Sequence, residues 1–141
     1  MYPNSIFLNV CGISENGLDN LITFESKFNE QFLFGGVAAT LNAKELGEDT
    51  IGFVGGMDIL GIYNFLVGYI EGAQWVNPDI KVVPSYVGSF SDPSTAKEDV
   101  LFLYKSGISV IYAAASGSKL GLYILGFKSH SLERIRRVFD K

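Results

Sequence analysis

The chain reads as an α/β domain in three layers, with helices on both faces of a parallel sheet. Three observations predict this. Runs rich in β-branched and aromatic residues recur at about 50–54, 80–87 and 108–113, and segments with apolar residues at steps of three and four lie between them. The runs are nearly continuous in apolar character instead of alternating, as strands covered on both faces should be. Each ends in glycine, serine or aspartate: Gly55-Gly56-Met57-Asp58, Gly88-Ser89-Phe90-Ser91-Asp92 and Ala115-Ser116-Gly117-Ser118. Ligands of such sheets collect beyond the carboxyl ends of the strands, so these three turns are candidates for a site.

Each element has its own signal. Ser5 to Cys11 is a short strand-forming run ended by Gly12, and Asn16-Gly17 is the strongest turn signal in the polar loop that follows. Leu21 to Phe24 reads as a second brief strand. From Phe28 the period changes: Phe28, Phe32, Gly36, Ala39 and Ala43 fall on one helical face, and Gly47 ends the helix. A second helix is expected from about Ile59 to Trp75. It is apolar nearly all round, with Gly61, Gly68 and Gly72 as a small-residue track, so it must be deeply buried or covered by another domain. Asn77-Pro78-Asp79 stops it. Asp92 then reads as an N-cap with Pro93 at the first helical position; Ala96, Val100 and Leu103 face inward and Gly107 ends the third helix. The expected succession is strand–helix three times over, closing on a strand at 108–113. Its first strand is Leu21–Phe24.

Composition narrows the function classes. With 141 residues the chain is about one domain long. Hydrophobic residues make up 48% and charged ones 18%, a balance that two-faced strands explain, and no window approaches the ~18 uninterrupted apolar residues of a membrane span. The net charge of −4 argues against nucleic acid as a partner. Residues 126–141 carry five basic groups (Lys128, Arg134, Arg136, Arg137, Lys141) against Glu133 and Asp140, an abrupt shift that marks a divergent basic tail. The single cysteine, Cys11, cannot make an internal disulfide and reads as a small buried residue; with one histidine, His130, a structural zinc site cannot be built. His130 lacks local partners for catalysis and reads as a solvated loop residue. No GxGxxG follows a strand, no phosphate loop occurs, and no nucleophile elbow is visible. No enzyme, cofactor or metal is expected.

The candidate ligand residues are therefore Phe90, Asp58, Ser116, Gly117 and Ser118. Phe90 sits between a strand end and a capped helix: its ring either projects into the crevice or plugs the corner. Asp58 could accept hydrogen bonds from ligand hydroxyls or an amine, yet the helix starting at Ile59 also calls for such a residue as its N-cap, which is the favoured reading. Asp92 is read mainly as a cap.

Gly55-Gly56-Met57-Asp58, the Asn77–Val82 and Ser85–Pro93 block (NPDIKV, SYVGSFSDP) and the Ala113–Gly117 loop together resemble the basic membrane lipoprotein family, purine-nucleoside-binding proteins that serve ABC importers. The resemblance runs from about Tyr2 to Gly121. It implies part of a two-lobed, type I periplasmic-binding-protein-like fold: residues 1–20 as a remnant of the first lobe, a hinge crossing near 21–25, and residues 21–125 as a second-lobe domain, incomplete. It further implies that Phe90 stacks on the purine and that Ser116–Ser118 corresponds to a Gly-Gly-Thr loop whose backbone N–H groups face the ligand. Ser116 and Lys119 stand where that pattern has glycine, which counts against the loop's competence. An aspartate that helps hold ribose is missing, since Phe127-Lys128 occupies its place.

The implied parent is extracytoplasmic and membrane-anchored and hands its substrate to an ABC permease. No signal peptide is read here, so the expectation for this stretch as it stands is cytoplasmic. Two alternatives are a non-binding structural remnant that self-associates through exposed apolar surface, as a homo-oligomer, and a small flavodoxin-like regulatory domain. Finally, residues 122–127 are expected to pair antiparallel with the preceding strand, because too few residues intervene for a parallel crossover. Ser131 is expected to cap a short helix.

Overall fold

A computed structural model describes residues 5–10, 18–24 and 27–118. The elements run β1 (Phe7–Val10), β2 (Leu21–Phe24), α1 (Phe28–Leu46), β3 (Thr50–Gly55), α2 (Leu60–Val76), β4 (Lys81–Tyr86), α3 (Pro93–Lys105), β5 (Ile111–Ala114) and a 3-10 turn at Ser116–Ser118. The expected α/β architecture is present. β4, β3 and β5 form a parallel sheet in that order, with Thr50 opposite Lys81 and Gly52 opposite Ile111. Pro84 is tolerated within β4 because that strand is an edge of this sheet.

β3 is the centre. Its side chains alternate between two cores, as the period of a strand requires. Ile51 and Phe53 pack with Ala39, Ala43, Leu66, Tyr69 and Ala73 from α1 and α2. Val54 packs on the other face with Ala96 and Leu103 of α3. The sheet is thus covered on both sides, which is why β3 reads as a continuous apolar run. A ring cluster of Phe32, Phe53, Phe65, Tyr69 and Tyr112 fills the α1–α2 side; Phe32 and Phe65 stack at 4.1 Å, and Tyr69 and Tyr112 sit 5.5 Å apart. The Tyr69 hydroxyl is buried there and donates to the Gly52 carbonyl at 3.2 Å.

α1 and α2 run parallel and touch through their main chains. A Cβ on Gly68 would lie 2.2 Å from the Asn29 carbonyl oxygen, one on Gly72 1.9 Å from that of Leu33, and one on Gly36 2.0 Å from that of Tyr69. The small-residue track is explained by this contact, except at Gly61, where a Cβ would meet nothing. The opposite side of α2 is uncovered, with Leu60, Tyr63 and Trp75 exposed.

The structure departs from expectation at several points. β2 does not lead off the main sheet: it pairs in parallel with β1, Phe7 opposite Leu21 and Val10 opposite Phe24, so that the two four-residue strands share one ladder in a sheet of their own. Among the described residues the main sheet therefore has three strands. Only residues 11–20 connect β1 to β2, so a short connection does not by itself forbid parallel pairing. β5 begins at Ile111, not Ile108, because the Ile108 N–H closes the end of α3 by donating to the Leu103 carbonyl. α2 starts at Leu60 and not Ile59. Ser106 is the C-cap of α3, and Gly107 follows it with φ +89°. Cys11, Lys119, residues 122–127, His130 and Ser131 lie outside the described residues.

Candidate functional site

All three strand-end turns come together at the carboxyl edge of the sheet. The end of β3 is tied to both neighbours: the Gly56 N–H donates to the Ala114 carbonyl at 3.1 Å and the Val87 N–H to the Gly55 carbonyl at 2.9 Å. Past Val87 the chain turns at Gly88, whose φ of +80° suits glycine. Ser89 accepts from the Ser91 N–H at 3.1 Å, a local turn that sets Phe90 at its apex.

Phe90 is where the turns meet. A Cβ on Gly56 would lie 2.3 Å from its Cδ1, so the ring rests directly on the β3 backbone, and a Cβ on Gly117 would lie 3.0 Å from its carbonyl oxygen. The ring is half-buried and joins the α1–α2 core at its rim. It thus packs the corner, while its exposed part remains available at the edge.

Asp58 departs from its favoured reading. The N-cap of α2 is Ile59, and no side chain caps the helix. Because α2 begins one residue later, Asp58 sits one position too early to reach the first-turn N–H groups. It is exposed instead, near Tyr86. Asp92 is the cap that was expected: its Oδ1 accepts from the Ser94 N–H at 3.0 Å and the Thr95 N–H at 3.1 Å, and its Oδ2 from the Thr95 hydroxyl at 2.8 Å. Those hydrogen bonds, Thr95's first, hold its carboxyl below the usual range.

Ser116 adopts φ +47°, the left-handed region that favours glycine. Ser116 thus holds a backbone conformation that glycine would adopt at less cost. Ser116 and Gly117 are exposed, and with Ser118 they form the 3-10 turn after β5.

The residue that sequence reading missed is Tyr86. It closes β4 opposite Gly55, and a Cβ on Gly55 would lie 2.9 Å from its Cδ1. Burial, then the Asp58 carboxylate and the Tyr63 phenol, raise its hydroxyl above the ordinary 10.0. Its place in the Ser85–Pro93 block, at the last position of a strand, was the available signal. A groove lined by Glu48, Asp49, Val83, Phe102 and Ile108 lies at the other, amino-terminal edge, away from these turns. Among the described residues, no group of three or more acidic, histidine or cysteine side chains could hold a metal, and no helix is long and apolar enough to cross a membrane.

The chain is similar to known proteins. The family model described as ABC transporter substrate-binding protein PnrA-like matches residues 1–124. The ABC transporter nucleoside-binding protein BmpA of Lactococcus lactis subsp. cremoris (strain MG1363) is 42% identical over 95 residues, covering 67% of this chain and 26% of that protein. Basic membrane protein D of Borreliella burgdorferi (strain JD1) is 35% identical over 103 residues, covering 73% and 29%. A protein of Pyrococcus abyssi (strain GE5 / Orsay) named as a lipoprotein is 29% identical over 126 residues, covering 86% and 31%. In structure, an ABC transporter solute-binding protein of Aeropyrum pernix K1 superposes with a TM-score of 0.77 at 27% identity, over 86% of this chain and 35% of that one. The chain spans between a quarter and a third of the length of these curated relatives. The chain belongs to the PnrA-like family of ABC transporter substrate-binding proteins.

Proposed function

We propose that the chain forms one wall of a purine-nucleoside site in an ABC import system. The observation that carries this reading is the convergence of the three strand-end turns on Phe90, seated on Gly56 and adjoining Gly117. A purine would stack on the exposed part of that ring, a contribution of roughly 1–3 kcal/mol. Asp58, freed from capping, would accept from ribose hydroxyls or a base amine, and the backbone N–H groups of the Ser116–Ser118 turn would face the ligand. The nucleoside-binding name of the Lactococcus relative supports the substrate class. The lipoprotein relatives support an extracytoplasmic, membrane-anchored parent that delivers to a permease. No catalytic step is part of this reading.

Calorimetric titration with adenosine, guanosine and inosine tests it. Phe90→Ala should weaken binding by roughly tenfold or more. A large fall in melting temperature with affinity intact would support the corner-plug role instead.

A second reading, self-association, is favoured by one observation: Phe34, Leu60, Trp75 and Phe102 are each at least 65% exposed. Sedimentation at micromolar concentration should show a dimer or larger species; a monomer throughout would reject it.

A further inference from the structure

We infer that Tyr86 is a ligand-contacting, specificity-determining residue of this crevice, reading together with Asp58 a ligand edge that carries a hydrogen-bond acceptor beside a donor. The inference rests on the nucleoside-binding reading and adds to it a second polar group.

The ring of Tyr86 is fixed. Glycine at position 55 lets it lie against the β3 backbone beside Ile62, whose Cγ2 would be 2.8 Å from a Cβ there. Being half-buried and packed against the α1–α2 core, the ring holds one direction. Tyr86 closes β4 opposite Gly55, only three residues before Asp58 at the same edge of the sheet, and burial, then Asp58 and Tyr63, raise its hydroxyl above the ordinary 10.0. Both of these residues are exposed. Neither the Tyr86 hydroxyl nor the Asp58 carboxylate makes a hydrogen bond to another described residue, since α2 begins without a side-chain cap.

The two groups differ in what they can do. A carboxylate only accepts, whereas a phenol that stays protonated at neutral pH donates. Side by side they suit a ligand that offers an acceptor next to a donor. Two parts of a nucleoside present that chemistry: the polar edge of the base and the sugar diol. Phe90, one turn further along the same connection, would supply the stacking face, and Tyr86 the directional contact. Rigid aromatic side chains with a polar tip are well suited to such contacts because little rotamer freedom is lost.

Tyr86→Phe keeps the ring and removes only the hydroxyl. Inosine and 2′,3′-dideoxyinosine are titrated calorimetrically into the whole chain, its Tyr86→Phe variant and its Phe90→Ala variant, alongside thermal melting. The expected result is a roughly three- to tenfold loss of inosine affinity in Tyr86→Phe with an unchanged melting temperature. If the same loss persists with the dideoxy ligand, the contact is to the base edge; if it vanishes, the contact is to the sugar hydroxyls. Either pattern supports the inference. Unchanged affinity in Tyr86→Phe, with Phe90→Ala weakened, would overturn the inference and leave the binding reading standing. A melting loss that parallels the affinity loss would also overturn it, by making the hydroxyl structural. Absence of nucleoside binding by the unaltered chain would overturn both.

Discussion

β1 and β3 are both short apolar strands in parallel sheets, yet they end in opposite surroundings. Every residue of β3 from Ile51 to Gly55 is buried between α1–α2 on one side and α3 on the other. Of β1, only Asn9 is even half-buried, while Phe7, Leu8 and Val10 are exposed; its partner β2 leaves Ile22 and Phe24 exposed. β3 is paired on both edges and β1 on one, yet each forms a regular ladder. The difference teaches that strand pairing and strand burial are separate achievements: four residues can form a ladder without a core, and a two-stranded sheet of that kind is marginal alone. The sheet of β3 is stabilised by the layers on both its faces, which the described residues do not supply to β1.

The comparison can be broken most directly by truncating one aromatic on each strand. Phe53→Ala should cost about 3–5 kcal/mol, the usual result for a fully buried ring. Phe7→Ala should change stability by about 0.5 kcal/mol or less. Urea unfolding followed by circular dichroism measures both, and similar losses would show that β1 shares the core after all.

Alkaline titration sharpens the same contrast. Burial, and then Tyr112, push the Tyr69 hydroxyl well above its ordinary 10.0. A folded-state pKa above the unfolded one means that the contribution is whole below about pH 10 and is lost as pH rises through the folded-state value. Stability should therefore fall above pH 10, and Tyr69→Phe should flatten that fall. The variant should also cost about 1 kcal/mol at neutral pH through loss of the bond to the Gly52 carbonyl. A wild-type profile as flat as the variant's would refute the buried phenol as its source.

The smallest effect concerns Ser116. A left-handed residue with a side chain costs roughly 1–2 kcal/mol, and glycine gives back about 0.4–1 kcal/mol through its freer unfolded chain. Ser116→Gly should accordingly raise stability by up to about 1 kcal/mol, visible as a small rise in melting temperature. A destabilised variant would mean that the serine side chain holds the turn.

Much of this architecture was legible in the sequence because local and tertiary signals agree there. The helix that ends at Gly47, the Asp92-Pro93 start of α3 and the strand at 50–55 each carry a chemical mark at their boundary. Phe90 and its neighbours were legible as a corner because glycine and serine flank it. Three features were not. The separate β1–β2 sheet follows from which strand finds which partner, and Leu21–Phe24 has no residue that records its partner. The capping role of Asp58 failed because a shift of one residue in helix start changes the function of every first-turn side chain. Tyr86 was hidden inside an apolar run, where a tyrosine looks like any other strand former; only the glycine opposite it reveals which way it is held.

The main-chain contact between α1 and α2 has a consequence for how this protein can change over time. At Gly36, Gly68 and Gly72 the space for even a methyl group is taken by a carbonyl oxygen of the facing helix. Each of these positions is closed to every other amino acid unless the helices separate, and their separation would lift both from the buried side of β3. The distance between the two helices is therefore fixed by the glycines. At the strand ends Gly55 and Gly56 are held closely too, but Met57, Asp58 and Ser91 are exposed and can be exchanged one at a time. Substitution has room at the edge of the sheet, while the frame beneath it stays constant.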